Sequence, residues 1–315
     1  MSSNSLLRIG IVGCGHLVRQ VHIPALSTIP GVTVAAFADP IANPVAGSSA
    51  PIFNTLDQML ASTPLDAVLV ASPSGEHARH ASLVLNSGKA LYLEKPMAST
   101  LAEAEALHAL AQSSGAIAMM GFNYRFNPLM QHAAAVARQS PITKLHSVFS
   151  IAPRPLPAWK VTRATGGGAL LDLASHHLDL ITAMFGFEVQ SIEAKLESRN
   201  SEHDTATLTL HSPQGAVANG FYSLADTESD YISFTNASGP HRFSRYDPLS
   251  FPLFPPHRFA AYHWERRQSP WKEPSFRRSL AAWIEAIRTN TQPPVTLTDG
   301  LRVMRLIHDA EANSA

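Results

Sequence analysis

The apolar run at residues 6–12 (LLRIGIV) ends in Gly13-Cys14-Gly15, and the chain then turns amphipathic through Val18, Val21 and Leu26. This order implies a strand, a glycine turn and a helix at the start of the chain. Glycine permits the tight turn and lets a pyrophosphate approach the backbone, while exposed N–H groups and the dipole of the following helix favour phosphate charge. Gly13, Cys14, Gly15, His16 and Leu17 are therefore candidate cofactor contacts. A second apolar run at 32–38 ends in Asp39, about where a dinucleotide fold places the acid that binds the adenosine ribose. A carboxylate there accepts two hydroxyl protons and repels a 2′-phosphate, so Asp39 favours NAD over NADP. The third glycine of the motif is replaced by Val18, which either holds the helix farther from the strand or lowers cofactor affinity. A glycine turn alone can be a bare connector; Asp39 weighs against that reading here.

From residue 1 to about 122, apolar strands at 67–71, 90–93 and 116–121 alternate with helical patterns at 77–85 and 101–111. This is the rhythm of an α/β fold, a parallel sheet with helices on both faces. Between Asp39 and Asp57 the rhythm fails, because Pro44, Gly47, Ser48, Ser49 and Pro51 stand where a crossover helix belongs; a loop or truncated helix is expected. After Asn123 the pattern changes. A helix at 128–138, a strand at 145–151, a glycine segment with its helix, and alternating runs at 189–196, 205–210, 216–224 and 231–235 describe a mostly antiparallel sheet. Two domains follow, 1–122 and 123–315. Residues 239–274 lack clean periodicity and suit an edge excursion, a substrate loop or an oligomer contact. Helices at 275–288 and 298–312 close the chain.

Composition narrows the partners. A length of 315 residues with 45% hydrophobic content suffices for two cores. Lysine plus arginine equals aspartate plus glutamate at 24 each, with no basic run to follow a phosphate backbone, so nucleic acid is not an expected partner. No stretch approaches the length of a membrane span, and the N-terminus lacks a basic region followed by a removable apolar core. The single cysteine, Cys14, excludes an internal disulfide and a cysteine zinc cluster. A cytoplasmic protein without a metal is the expectation.

Two segments carry chemistry: LYLEKPMA at 91–98 and GGGALLDLASHHLD at 166–179. In a helix starting at Gly168, Asp172, His176 and Asp179 fall at i, i+4 and i+7 on one face, while His177 is turned about 100° away. Leu171, Leu178 and Ile181 share another face and can anchor the helix on the sheet. An aspartate four residues before a histidine can orient the ring and raise its basicity, which makes Asp172 and His176 a candidate acid/base pair. A surface salt bridge would use the same spacing. Lys95 follows a strand in Glu94-Lys95-Pro96, and strand ends of an open parallel sheet lie along the ligand crevice. Trp159 and Lys160 are candidate substrate contacts, since an indole face stacks on sugar C–H surface and an ammonium suits a hydroxyl or carboxylate; ordinary packing and a surface charge would look the same.

Through GIVGCG, ASPSGEHARHA, LEKPMA, GFNYRFNP, GGGALLDLASHHLDL and VTLTDGLRVMRLIHDAEANS, the chain resembles the glucose–fructose oxidoreductase, inositol dehydrogenase and rhizopine catabolism (Gfo/Idh/MocA) family over nearly its whole length. The resemblance implies a Rossmann domain, doubly wound, joined to a C-terminal α+β domain whose large open sheet forms homodimers or homotetramers. It implies hydride transfer between NAD(P) and a secondary alcohol or ketone carbon of a sugar, cyclitol or related polyol. By the same resemblance Lys95 touches the reacting hydroxyl, Asp172 shapes the substrate pocket and His176 takes the hydroxyl proton. Ser72, Pro73, His77 and Glu94 border the cofactor, Asn123 and Arg125 mark the crossover between domains, and Tyr124 joins the substrate set. The chain departs from the pattern at Val18, at Ala174 where glycine is common, and in the eroded segment after the second strand. Two other classes remain: an NAD-dependent glycoside-cleaving enzyme with transient redox, and a non-catalytic nucleotide sensor. Retention of Lys95, Asp172 and His176 together argues against the sensor.

Overall fold

A computed structural model describes residues 6–41, 44–244 and 256–314. The chain divides into two compact units, Met1–Asn123 with Arg266–Leu301 and Tyr124–Glu265 with Arg302–Ala315.

The first unit is built on β1 (Leu7–Val12), β2 (Val32–Ala38), β3 (Ile52–Phe53), β4 (Ala67–Val70), β5 (Ala90–Leu93) and β6 (Ala118–Met120). They form one sheet in the order β3-β2-β1-β4-β5-β6, parallel throughout. Both β4 and β5 are buried along their whole length, as a parallel sheet covered on both faces requires, which is why their sequences are apolar runs rather than alternations. The order reverses at β1, so the glycine turn after it opens at the point where a dinucleotide fold places its ligand. The helix Leu101–Ser114 is bounded by local chemistry: Thr100 and Glu103 form a reciprocal cap at its start, and Gly115, at φ 65°, ends it. From residue 44 the eroded segment runs through a turn at 46–47 into the two-residue edge strand β3, an element its sequence did not announce. The helix Ser275–Thr289, read from sequence as part of the C-terminal half, belongs to this unit. Its Trp283 is fully buried against Tyr92, and Ser279 Oγ lies 2.9 Å from the Tyr92 hydroxyl.

The second unit holds β7 (Lys144–Ser150), β8 (Ser191–Glu197), β9 (Thr205–His211), β10 (Val217–Ser223), β11 (Ser229–Asn236) and β12 (Gly239–Phe243) in the order β12-β11-β7-β10-β9-β8. All neighbours are antiparallel except β7 and β10. Burial alternates strictly along β11, so one face is core. The helical stretch at 169–184 is part of that core: Leu171, Leu178 and Ile181 are all buried. On the opposite face Val148, Thr207, Phe221 and Tyr231 are not buried. Within 239–274 the structure gives β12 as an edge strand and a helix at Pro256–Gln268; residues 245–255 lie outside the described part. Among the described residues no helix is long and apolar enough to cross a membrane.

Candidate active site

Gly13 adopts φ +86°, and a Cβ there would lie 2.5 Å from the Ala71 carbonyl oxygen, so only glycine lets β1 turn against the end of β4. At Gly15 a Cβ would meet nothing within 4 Å, which leaves open space over the turn. The Cys14 N–H donates to Asp39 Oδ2 at 2.7 Å, and Asp39 Oδ1 accepts from the Ile41 N–H at 2.9 Å. The Cys14 amide is thus committed to the Asp39 carboxylate. Burial, then Asp39, pushes the Cys14 thiol up to about 11 against the pull of Arg19. Arg19 was not singled out from sequence. Its Nε donates to the Cys14 carbonyl at 2.7 Å and its NH1 to the Pro44 carbonyl at 3.1 Å, tying the turn to the eroded segment. The one available signal was a basic side chain in the first turn after the glycines.

Val18 is fully buried, and the chain accommodates it by opening the helix: Val18–His22 is a wide turn in which the Ile23 N–H reaches back to the Val18 carbonyl. Four residues on, His22 Nε2 sits 2.9 Å from Glu94 Oε1, both side chains buried. His16, in the turn's exposed part, stacks on Trp271 with centroids 5.5 Å apart. Leu17 is half-buried beside it.

The ends of β4 and β5 are joined by one histidine. His77 places Nε2 2.8 Å from the Ser72 carbonyl and Nδ1 2.6 Å from the Pro96 carbonyl. Burial pushes this imidazole below its ordinary range, against the pull of the two carbonyls. A neutral ring carries one N–H and donates to one of these two carbonyls, so His77 lies between the segment around Pro73 and the carbonyl next to Lys95 with a single hydrogen bond to give. Lys95 itself is half-buried. Asn123, also buried, donates its side-chain N–H to Ser275 Oγ at 2.8 Å.

In the second unit the helix 169–184 carries two wide turns, Leu170–Ala174 and Leu180–Met184, flanking Ser175–Asp179. Such turns shift side chains off the regular 100° spacing. Asp172 accepts from Lys160 Nζ at 2.7 Å, and that ammonium lies 5.2 Å from the Trp159 ring, so three predicted substrate residues form one cluster. His176 lies flat on Tyr124, with centroids 4.2 Å apart and planes 12° from parallel. Asp179, nearly inaccessible, holds the Arg125 guanidinium through both oxygens, one contact being Nε to Oδ2 at 2.7 Å.

His177 faces the sheet. Its Nδ1 lies 2.7 Å from Ser147 Oγ and its Nε2 3.2 Å from Asp230 Oδ1, while Ser147 Oγ also lies 2.8 Å from the Tyr222 hydroxyl. These are the residue types of a nucleophilic triad, but all are buried, and they serve to pin the helix to three strands. Sequence reading saw only that His177 turned away. Among the described residues no group of three metal-ligating side chains exists.

The glycine turn, its open space at Gly15 and the adjacent carboxylate of Asp39 fit a dinucleotide, and the fold and site together define an NAD-binding oxidoreductase of the Rossmann type. Residues 7–122 match the model of the Gfo/Idh/MocA oxidoreductase family, NAD-binding Rossmann fold, and residues 130–235 match the family's C-terminal domain. The chain belongs to this family. It is similar to the uncharacterized oxidoreductase YrbE of Bacillus subtilis, with 25% identity over 97% of this chain and 94% of that protein. It is also similar to the dTDP-3,4-didehydro-2,6-dideoxy-alpha-D-glucose 3-reductase of Actinomadura kijaniata, with 24% identity over 96% of this chain and 93% of the relative. In fold it matches the crystal structure of GenD2 from gentamicin A biosynthesis in complex with NAD, at a TM-score of 0.85 and 21% identity over 99% of this chain and 95% of that one.

Proposed function

We propose that the protein moves a hydride between NAD and a secondary alcohol or ketone carbon of a sugar, cyclitol or related polyol. Gly13–Leu17, Asp39, Ser72, Pro73, Glu94, Asn123 and Arg125 bind or support the dinucleotide, which supplies the hydride acceptor or donor when bound. His176 exchanges the hydroxyl proton, and Lys95 stabilises the developing alkoxide as a fixed positive charge. The observation that carries the reading is the His176–Tyr124 stack, with centroids 4.2 Å apart. Stacking grips the ring by its face and fixes its plane. The Lys160–Asp172 pair beside Trp159 offers a donor, an acceptor and an apolar face, which suits a polyol. The reductase among the relatives acts on a nucleotide-linked keto sugar by its name, in keeping with that class. The relatives described are oxidoreductases, which does not favour the glycoside-cleaving or sensor readings.

The test is a panel of sugars and cyclitols with NAD, read by absorbance of the reduced nicotinamide. His176→Ala and Lys95→Ala should each abolish turnover while calorimetric NAD binding survives; normal rates in either variant would remove the assigned role. The uncovered face bearing Val148, Phe221 and Tyr231 is the surface through which two or four copies associate, to be read by light scattering.

A further inference from the structure

Ser72 stands two residues beyond β4 and against the glycine turn, since a Cβ on Gly13 would lie 2.8 Å from its Cα. Two histidines of the helix His77–Asn86 flank it: His77 Nε2 lies 2.8 Å from its carbonyl oxygen, and His80 Nδ1 lies 2.9 Å from its hydroxyl oxygen. The other nitrogen, His80 Nε2, lies 2.8 Å from Arg79 NH2. Arg79 is itself steadied by Glu76, which accepts from its Nε at 2.7 Å.

A guanidinium only donates hydrogen bonds. His80 Nε2 must therefore be the acceptor, and the proton of the neutral ring resides on Nδ1. Burial and then Arg79 push this imidazole down to about 4, so the neutral ring dominates near pH 7. The Nδ1–H then donates to Ser72 Oγ. A hydroxyl that accepts from Nδ1 keeps its own proton for another partner, and among the described residues the Ser72 hydroxyl has no hydrogen bond besides the one to His80.

We propose that Arg79 and His80 form a positioning relay that fixes the Ser72 hydroxyl as a hydrogen-bond donor to an acceptor oxygen of the dinucleotide seated at the glycine turn. The proposal rests on the cofactor reading given above. Arg79 and His80 touch no cofactor themselves; they select which way the Ser72 proton turns. Without Arg79, His80 could carry its proton on Nε2, and Ser72 would then donate inward to Nδ1.

The test is calorimetric titration of NAD into the full chain and its variants. Ser72→Ala should weaken NAD by about three- to tenfold, the worth of one hydrogen bond. His80→Ala should weaken it about two- to fivefold by the same accounting, and the double variant should be no weaker than Ser72→Ala alone. Additive losses, or wild-type affinity in His80→Ala beside a weakened Ser72→Ala, would overturn the relay. Gly13→Ala separates the two layers: if it binds NAD normally, the cofactor seat is wrong, whatever the relay does. Nitrogen-15 spectra of histidine-labelled wild-type protein give an answer that needs no variant to fold. They should show His80 protonated at Nδ1 and bare at Nε2, and the opposite tautomer would refute the proposal.

Discussion

Asp39→Asn isolates the electrostatics of the dinucleotide turn, because the chain's sole cysteine sits beside the altered charge. Asparagine keeps an oxygen for the Cys14 N–H, so the turn is retained while the negative charge is lost. With the thiol raised to about 11, its thiolate is on the order of one part in a thousand at pH 8. Burial is the larger raising cause and Asp39 the second, and a nearby negative charge disfavours the thiolate, so its removal moves the pKa down. Each unit by which it falls multiplies the thiolate about tenfold. The thiolate also becomes a weaker nucleophile, with a slope of about 0.4–0.5 per unit, leaving a net gain of about three- to fourfold in alkylation rate. The assay is the pseudo-first-order rate of iodoacetamide modification at pH 8, followed by mass spectrometry on proteins of matched melting temperature. An equal or slower rate in the variant would refute the argument that Asp39 sets the field at Cys14. The same substitution should weaken NAD by about tenfold, through loss of charge-assisted bonds to the ribose.

Gly13→Ala combines a left-handed backbone with a Cβ 2.5 Å from the Ala71 oxygen, so we expect about 1–3 kcal/mol of strain and loss of NAD binding, measured by thermal melting and calorimetry. Arg125→Ala takes its guanidinium away from the buried Asp179, which Arg302 also approaches at 3.8 Å, and should cost about 3 kcal/mol in urea unfolding. An unchanged midpoint would mean the pair contributes nothing. Ser147→Ala removes the hydroxyl shared by His177 and Tyr222 and should cost about 1–3 kcal/mol. Its NAD affinity should stay within about twofold, since both contacts removed lie in the core of the second unit, among residues with no assigned cofactor role.

Much of the architecture was legible in the chain because it rests on local periodicity. The apolar runs that became β1, β4 and β5 follow from burial on both faces, β2 is buried only over its last three residues, and the alternation in β11 follows from burial on one face. The exceptions have physical causes. β3 is two residues long, too short for any pattern to register, and Val18 was absorbed by a widened helical turn that a regular 3.6-residue repeat does not anticipate.

Side-chain partners were less legible. Sequence placed Asp39 at the ribose position, but its grip on the Cys14 amide depends on β1 and β2 lying side by side. Trp159, Lys160 and Asp172 were each named from their chemistry, and only the folded second unit gathers them. His177 meets Ser147 and Asp230, which are 30 and 53 residues away along the chain. Hydrophobic periodicity and glycine placement act within a turn or a strand, so the sequence by itself determined the element types, the parallel and antiparallel classes, and the candidate chemistry. Strand order, the parallel pairing of β7 with β10, the unit that claims Ser275–Thr289, and the partner of each buried polar group were decided by tertiary structure, because burial obliges each such group to find its hydrogen bond wherever packing brings one within reach.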